Sequence, residues 1–182
     1  MKAKEIEKNL IEMIANDWFL VGACKDDTYN MMTASWGQMG NLWNKEVMSI
    51  YVRPTRFTYE FIENSDTFSC SFFDNHRKEL SLIGSKSGRD IDKTNIFNAS
   101  IIENTPVFEE ASLTIICKKI AQYDLDSSQF IDESIDKNYK NDYHRVYIGE
   151  IIQVIKKLQS AFVGAFVMHL YYFLKYHQFC LS

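Results

Sequence analysis

Residues 84–93, GSKSGRDIDK, concentrate the residue types that bind an anion. The segment holds two glycines, two serines, two lysines and an arginine, with one apolar side chain. Glycines expose backbone N–H groups, and hydroxyls and cations around them can complete a phosphate cradle. The spacing is neither that of a P-loop, GxxxxGK followed by Ser or Thr, nor GxGxxG. Taken alone, the composition favours a solvated turn, so the interpretation depends on other segments.

Two further segments at predicted strand ends carry compatible chemistry. MTASWG (32–37) ends one strand with hydroxyls, an indole and a glycine, and YVRPTRFT (51–58) ends another with two arginines. Arg53 and Arg56 can each grip a phosphate through two parallel hydrogen bonds, which lysine cannot copy. The helix predicted to follow Pro54 adds an N-terminus that favours anions. The three segments together predict a site for one phosphorylated aromatic ligand.

The same side chains also have purely structural interpretations. Arg53 and Arg56 can be solvated, or can pair with Glu60 and Glu63 on the following helix. Trp36 can belong to the core or to an interface. Any one of these residues alone favours its structural role, so the site hypothesis depends on all three segments converging.

Histidines and metal-ligand patterns contribute little to the site. Only His144, just before a predicted strand, lies near the expected rim of the site. No Ser-His-Asp spacing indicates nucleophilic catalysis, and no cluster of histidines and carboxylates indicates a metal. The sequence therefore predicts no metal site and leaves the catalytic residues unknown, with His144 as the one candidate.

The elements that must position these segments are strands interrupted by short helices. Helical spacing predicts helices over 6–14 and 55–64. Strands are predicted at DWFLVGAC (17–24), TYNMMTASW (28–36), VMSIYV (47–52), TFSCSFF (67–73), LTIICKKI (113–120) and RVYIGEIIQVI (145–155). Alternation makes 67–73 a half-buried strand with a serine face. This order favours a mainly β fold, an antiparallel barrel with appended helices, over a doubly wound sheet.

Burial in the last strand is also predicted from alternation. The period of two places Val146, Ile148, Ile152 and Val154 on one face of that strand. The polar, acidic segment 124–142 before it is expected to be a loop or a short exposed helix.

Composition limits the class of protein. The chain has 182 residues and a net charge of −4, which argues against nucleic-acid binding, since that usually requires a basic face. Four cysteines, Cys24, Cys70, Cys117 and Cys180, form no CxxC pair. The N-terminus lacks the apolar run of a signal peptide. We expect a reduced, cytoplasmic protein.

The C-terminal segment 158–182 differs from the rest of the chain. Its apolar run, Ala161 to Leu174, is shorter than the ~20 residues of a membrane span and contains His169. This favours a helix packed on the barrel or on a partner subunit over a membrane anchor. Foreign sequence from a frameshift or vector read-through is the third interpretation. We therefore divide the chain into a domain at 1–157 and an apolar tail at 158–182.

The motifs TASW, RPTRFT and GSKSGRDxDK, followed by HRVYIGEI, resemble in order and spacing the flavin-reductase-like family of FMN-binding split barrels. The likeness is greatest to flavoredoxin-like members and runs from about Asp17 to Lys156. It implies a Greek-key-like barrel of six strands, assembled as a homodimer, with FMN near the subunit interface.

The resemblance also implies which residues contact FMN. TASW would line the isoalloxazine and ribityl side, RPTRFT would hold the phosphate or ribityl chain, and GSKSGRDxDK would complete those contacts. The implied residues are Thr33, Ala34, Ser35, Trp36, Arg53, Arg56, Thr58, Ser85, Ser87, Gly88 and Lys93. Asp92 would orient neighbouring cations, and His144 would lie where nicotinamide approaches.

The expected activity is that of a flavin reductase or flavoredoxin-like oxidoreductase. A hydride would pass from NAD(P)H, bound transiently in the flavin cleft, to FMN, and electrons would pass to a second acceptor. One alternative is an FMN-carrying electron-transfer protein that exchanges electrons with a protein partner and oxidises no NAD(P)H. The other is a ligand-binding module without enzymatic activity.

Overall fold

Antiparallel strands dominate residues 1–157, the part of the chain that the structure, a computed structural model, describes. The strands are β1 (Phe19–Lys25), β2 (Thr28–Ala34), β3 (Gly37–Leu42), β4 (Lys45–Val52), β5 (Thr67–Phe72), β6 (Ala99–Ile102), β7 (Thr105–Phe108), β8 (Leu113–Asp124) and β9 (Arg145–Lys156). The helices are α1 (Leu10–Glu12), which continues as a π-helical turn over Met13–Asp17, α2 (Phe57–Glu63) and α3 (Arg77–Ser85).

Seven of these strands form one sheet in the order β2-β1-β5-β8-β9-β4-β3, and β6 and β7 form a separate hairpin. A flat sheet of seven strands would separate its edge strands by about 29 Å. Only Ser35 and Trp36 connect the edge strands β2 and β3, and that connection can span at most about 11 Å. The sheet must therefore curl into a barrel with a seam between β2 and β3. This confirms the predicted fold class, although the sheet has seven strands where the resemblance implied six.

Large apolar side chains from strands all around the barrel fill its interior. Phe19, Ile50, Phe68, Ile115 and Tyr147 are completely buried there. A second buried cluster lies outside the barrel, where α3 and the β6–β7 hairpin cover β1 and β2; it includes Leu20, Met31, Leu80, Phe97 and Phe108. Helix α3 is thereby fixed on the outer side of β2, next to the seam.

Strand β5 is buried on both faces, so the prediction of a half-buried strand is wrong. The hydroxyl of Ser69 donates to the carbonyl of Pro106 at 2.6 Å, and the hydroxyls of Ser71 and Thr114 are 3.0 Å apart. The serine face is covered by β7 rather than by water, and Ser71 is paired with a residue of the adjacent strand β8. These serines consequently lie in the core and contribute nothing to a ligand site.

The prediction of one shared face along β9 is also wrong. A register shift against β8 leaves Ile152 as an extra residue, 43% exposed. The shift exchanges the two faces of the strand, because side chains alternate with a period of two. Val146 and Ile148 therefore pack in an outer cluster with Val47, whereas Val154 packs inside the barrel.

Other local predictions are confirmed. Helix α2 ends at Glu63 with Asn64 as its C-cap, close to the predicted end, and the helix predicted over 6–14 lies over 10–17. Segment 124–142 is mostly exposed and forms two short 3₁₀ helices. None of the helices within residues 1–157 has the length and apolarity needed to cross a membrane. The predictions for the segment 158–182, including its packing and its division from 1–157, lie outside the described residues.

Close packing around Gly149 in β9 predicts a large loss of stability on substitution. A Cβ there would lie 2.6 Å from the Cβ of Cys117 and 2.7 Å from the ring of Phe68, both in the core. We expect Gly149→Ala to lower the free energy of unfolding by about 1–3 kcal/mol in urea denaturation. Gly40→Ala in β3 is the matched control, because nothing lies within 4 Å of its Cβ position. Equal effects of the two substitutions would contradict this packing.

Candidate functional site

A cleft lies at the seam of the barrel, where the predicted site segments converge. One cavity of about 190 Å³ is lined by residues 32–36 together with side chains that follow β4 and precede β9. A neighbouring cavity of about 60 Å³ lies between β2, the start of α2 and segment 83–93. The two cavities share Met32, Thr33 and Arg56, so they adjoin each other. We call the two together the seam cleft.

The seam cleft brings together ten of the eleven residues implied by the resemblance. They are Thr33, Ala34, Ser35, Trp36, Arg53, Arg56, Thr58, Ser87, Gly88 and Lys93. Ser85 is the exception, because it still belongs to α3 and its exposed hydroxyl donates to the carbonyl of Leu82 at 3.1 Å. Asp92 also points elsewhere and accepts hydrogen bonds from Thr94 and Asn95.

One end of the cleft is aromatic. The ring of Trp36 lies 5.1 Å from that of His144, and Tyr51 approaches the same imidazole edge-on. Nδ1 of His144 is 3.2 Å from the hydroxyl of Tyr139. Burial, reinforced by Arg53, lowers the pKa of His144 to about 4. The histidine is therefore neutral at pH 7, and this end of the cleft presents flat, uncharged rings.

The two arginines of RPTR have different surroundings. Arg53 donates to the carbonyl of Asn138 at 2.9 Å and lies over the ring of Tyr139. Arg56 is exposed and has no carboxylate partner within residues 1–157. Its side chain is thus available to an anion.

The carboxylates that could have paired with these arginines are occupied by others. Glu60 pairs with Arg89, and Glu63 pairs with Arg145 at 3.1 Å. Arg145 also binds Asp124, at 2.7 Å. The structural alternative of Arg53 or Arg56 pairing with Glu60 or Glu63 is therefore not what the structure shows.

Lys93 lies at the cationic end of the cleft, but its ammonium group is bound by backbone carbonyls of the protein. Its Nζ donates to the carbonyl of Ile83 at 2.8 Å and lies 3.4 Å from that of Met31, linking the end of α3 to β2. Burial and the nearby Arg56 lower the pKa of Lys93 to about 8. It adds positive charge near Arg56 while fixing the segment that faces it.

Gly88 allows that segment to approach β2 and α2 closely. A Cβ at this position would lie 2.6 Å from Oδ1 of Asn30 and 2.8 Å from the ring of Phe57. Asn30 is itself held, since its Nδ2 donates to the hydroxyl of the buried Thr58 at 2.9 Å. A larger residue at position 88 would therefore clash with Asn30 and Phe57, which explains the glycine in the motif. Thr58 positions Asn30.

Several residues of the cleft were missed by sequence reasoning. Tyr51 belongs to the quoted segment YVRPTRFT but carries no anion-binding signal, and Asn30 lies in a regular strand pattern. Tyr139 comes from an acidic segment that has no periodicity. The contact of Tyr139 with His144 depends on tertiary structure, and no local pattern could have indicated it.

The antiparallel barrel with an open seam is the split-barrel architecture, as in solved structures of FMN-binding proteins. A flavoredoxin from Methanosarcina acetivorans superposes with a TM-score of 0.64 at 22% identity, over 86% of this chain and 77% of that one. An FMN-binding protein from Thermus thermophilus with bound 1-cyclohex-2-enone gives 0.62 at 19%, over 86% and 80%. The NADH:FAD oxidoreductase SgcE6 from Streptomyces globisporus gives 0.60 at 14%, over 78% and 75%.

The sequence profile of the flavin reductase like domain matches residues 12–179. Because the match covers most of the chain, this protein belongs to that family, whose chemistry is flavin-related oxidoreduction. The match includes most of the segment 158–182 that we separated in the sequence. No curated protein sequence matches the chain significantly.

The buried, neutral His144 predicts a specific pH dependence. Its pKa is about 4 in the folded protein and 6.5 when unperturbed, so its contribution to stability is complete above pH 6.5 and is lost as the pH falls towards 4. We expect up to about 3 kcal/mol of unfolding free energy to be lost this way, because one pKa unit corresponds to about 1.4 kcal/mol, and His144→Gln to lose less over that range. NMR titration of the imidazole checks the cause directly. A midpoint near 6.5 in the folded protein would refute it.

Proposed function

We propose that the seam cleft binds FMN and that the protein transfers electrons from NAD(P)H to a second acceptor through it. The observation that carries the proposal is that the two adjoining cavities of the cleft differ in chemistry. One end presents aromatic rings and the backbone of residues 33–36, and the other presents an arginine that has no carboxylate partner among residues 1–157. A ligand with a flat ring system and a phosphate, joined by a flexible chain, matches both ends.

The side chains at each end fit such a ligand. Arg56 can donate two parallel hydrogen bonds to phosphate oxygens, and Lys93 adds charge without leaving its own carbonyl partners. Ser87 and Gly88 lie on the opposite wall, where a hydroxyl and a close backbone can reach the same anion. Among the predicted contact residues, Ser85 is the one that does not line this cleft.

FMN when bound would supply the hydride-accepting chemistry. The chain's own residues would bind and orient it. Backbone N–H groups of residues Ser35 and Trp36, which line the cleft, would stabilise negative charge on the pyrimidine edge of the ring system. Trp36 and Tyr51 would exclude water, and the neutral His144 would leave an uncharged surface for the approach of nicotinamide. The homodimer implied by the resemblance stays a prediction.

Removing Arg56 tests the phosphate site. We expect Arg56→Ala to weaken FMN binding by about 10- to 100-fold, because a charged hydrogen-bonding group is lost. Binding of riboflavin, which has no phosphate, should change by less than about twofold. Fluorescence titration measures both affinities, and Lys78→Ala, an exposed charge on α3, is the matched control. Equal weakening of FMN and riboflavin would show that Arg56 does not bind the phosphate.

Anaerobic reduction of the FMN-loaded protein tests the electron donor. We expect NADH or NADPH to bleach the flavin absorbance, because flavin-related oxidoreduction is the chemistry of the family to which the chain belongs. Free FMN at the same concentration serves as the control. If the bound flavin accepts electrons from dithionite but from neither nucleotide, the protein is an electron-transfer protein rather than an NAD(P)H oxidoreductase.

A further inference from the structure

A larger cavity, of about 640 Å³, adjoins the seam cleft on the other side of Trp36. It lies between the α1 segment and the start of β3, and we call it the apolar pocket. Ser35, Trp36 and Tyr51 line both the apolar pocket and the seam cleft. A ligand in the apolar pocket would therefore lie next to one at the aromatic end of the cleft.

The apolar pocket differs from the cleft in charge. The seam cleft contains Arg53, Arg56 and Lys93, whereas no Asp, Glu, Lys or Arg within residues 1–157 lines the apolar pocket. Its wall is largely aliphatic and aromatic, with polar groups at Ser35 and Gln38. A phosphate or carboxylate would lose hydration there without gaining an ionic partner. The charge pattern therefore selects a neutral ligand.

Size and polarity restrict the ligand further. The volume falls within the roughly 300–1,000 Å³ of small-molecule sites. Aromatic side chains favour a planar ligand, and the amide of Gln38 and hydroxyl of Ser35 can donate hydrogen bonds to carbonyl oxygens. A neutral, planar molecule with carbonyl groups satisfies all of these features.

We infer that the apolar pocket binds the second electron acceptor, and that this acceptor is a neutral quinone. The inference rests on the proposed function. NAD(P)H and one proton together supply two electrons and two protons. The two carbonyls of the quinone become hydroxyls, and NAD(P)⁺ leaves.

Duroquinone is a suitable probe, because its ring is fully substituted and offers no free position for thiol addition. Equilibrium dialysis of the full chain, with and without FMN, measures its binding independently of turnover. Ile11→Glu and Ala15→Glu each place a carboxylate at the apolar pocket. Both positions are exposed, so we expect both variants to fold. Ile101→Glu, on an exposed position of β6, is the matched control.

We expect both pocket variants to weaken duroquinone binding at least tenfold, and the control to change it by less than twofold, with FMN affinity unchanged in all three. Undiminished duroquinone binding in the pocket variants would overturn the inference. The inference would also be overturned if the wild-type protein is a dimer that binds no duroquinone and the Ile11→Glu variant is a monomer. A second copy of the chain would then occupy the pocket. Duroquinone binding without FMN binding would support the pocket but overturn its redox role and the proposed function.

Discussion

The short link Ser35–Trp36 is the constraint on which the site depends. It joins the two edges of a seven-stranded sheet, so the sheet must close and the ends of β2, β4 and β9 must meet at the seam. Pairing of β4 with β9 matches Val52 with Arg145, which places the residues just beyond the pair, Arg53 and His144, side by side. The cleft follows from closure and register rather than from any single motif.

Electrostatics then divides the cleft into two ends. Arg89 and Arg145 occupy the carboxylates of α2, which leaves Arg56 without an ionic partner among the described residues. Burial keeps His144 neutral by lowering its pKa, and the charge of Arg53 beside it faces the ring of Tyr139 and lies 3.8 Å from Asp142, whereas Arg56 and Lys93 form the other, cationic end. A phosphate at that end and an uncharged ring at the other is the arrangement that this distribution favours.

Much of the fold and site could be predicted from local patterns, and the failures have physical causes. Alternation and turn residues located six of the nine strands within residues 1–157, missing β3, β6 and β7, and two polar segments at strand ends together with the segment 84–93 located the cleft. Burial of Ser69 required knowledge that β7 covers it, and the exchange of faces in β9 required the bulge at Ile152. The availability of Arg56 depends on Arg145, which is distant in sequence. No local pattern carries that information.

A crystal structure of the protein grown with FMN tests the central claim most directly. We predict that the phosphate lies within hydrogen-bonding distance of Arg56, with the ring system along residues 33–36 near His144. FMN bound elsewhere, or bound with its phosphate away from Arg56, would contradict the account.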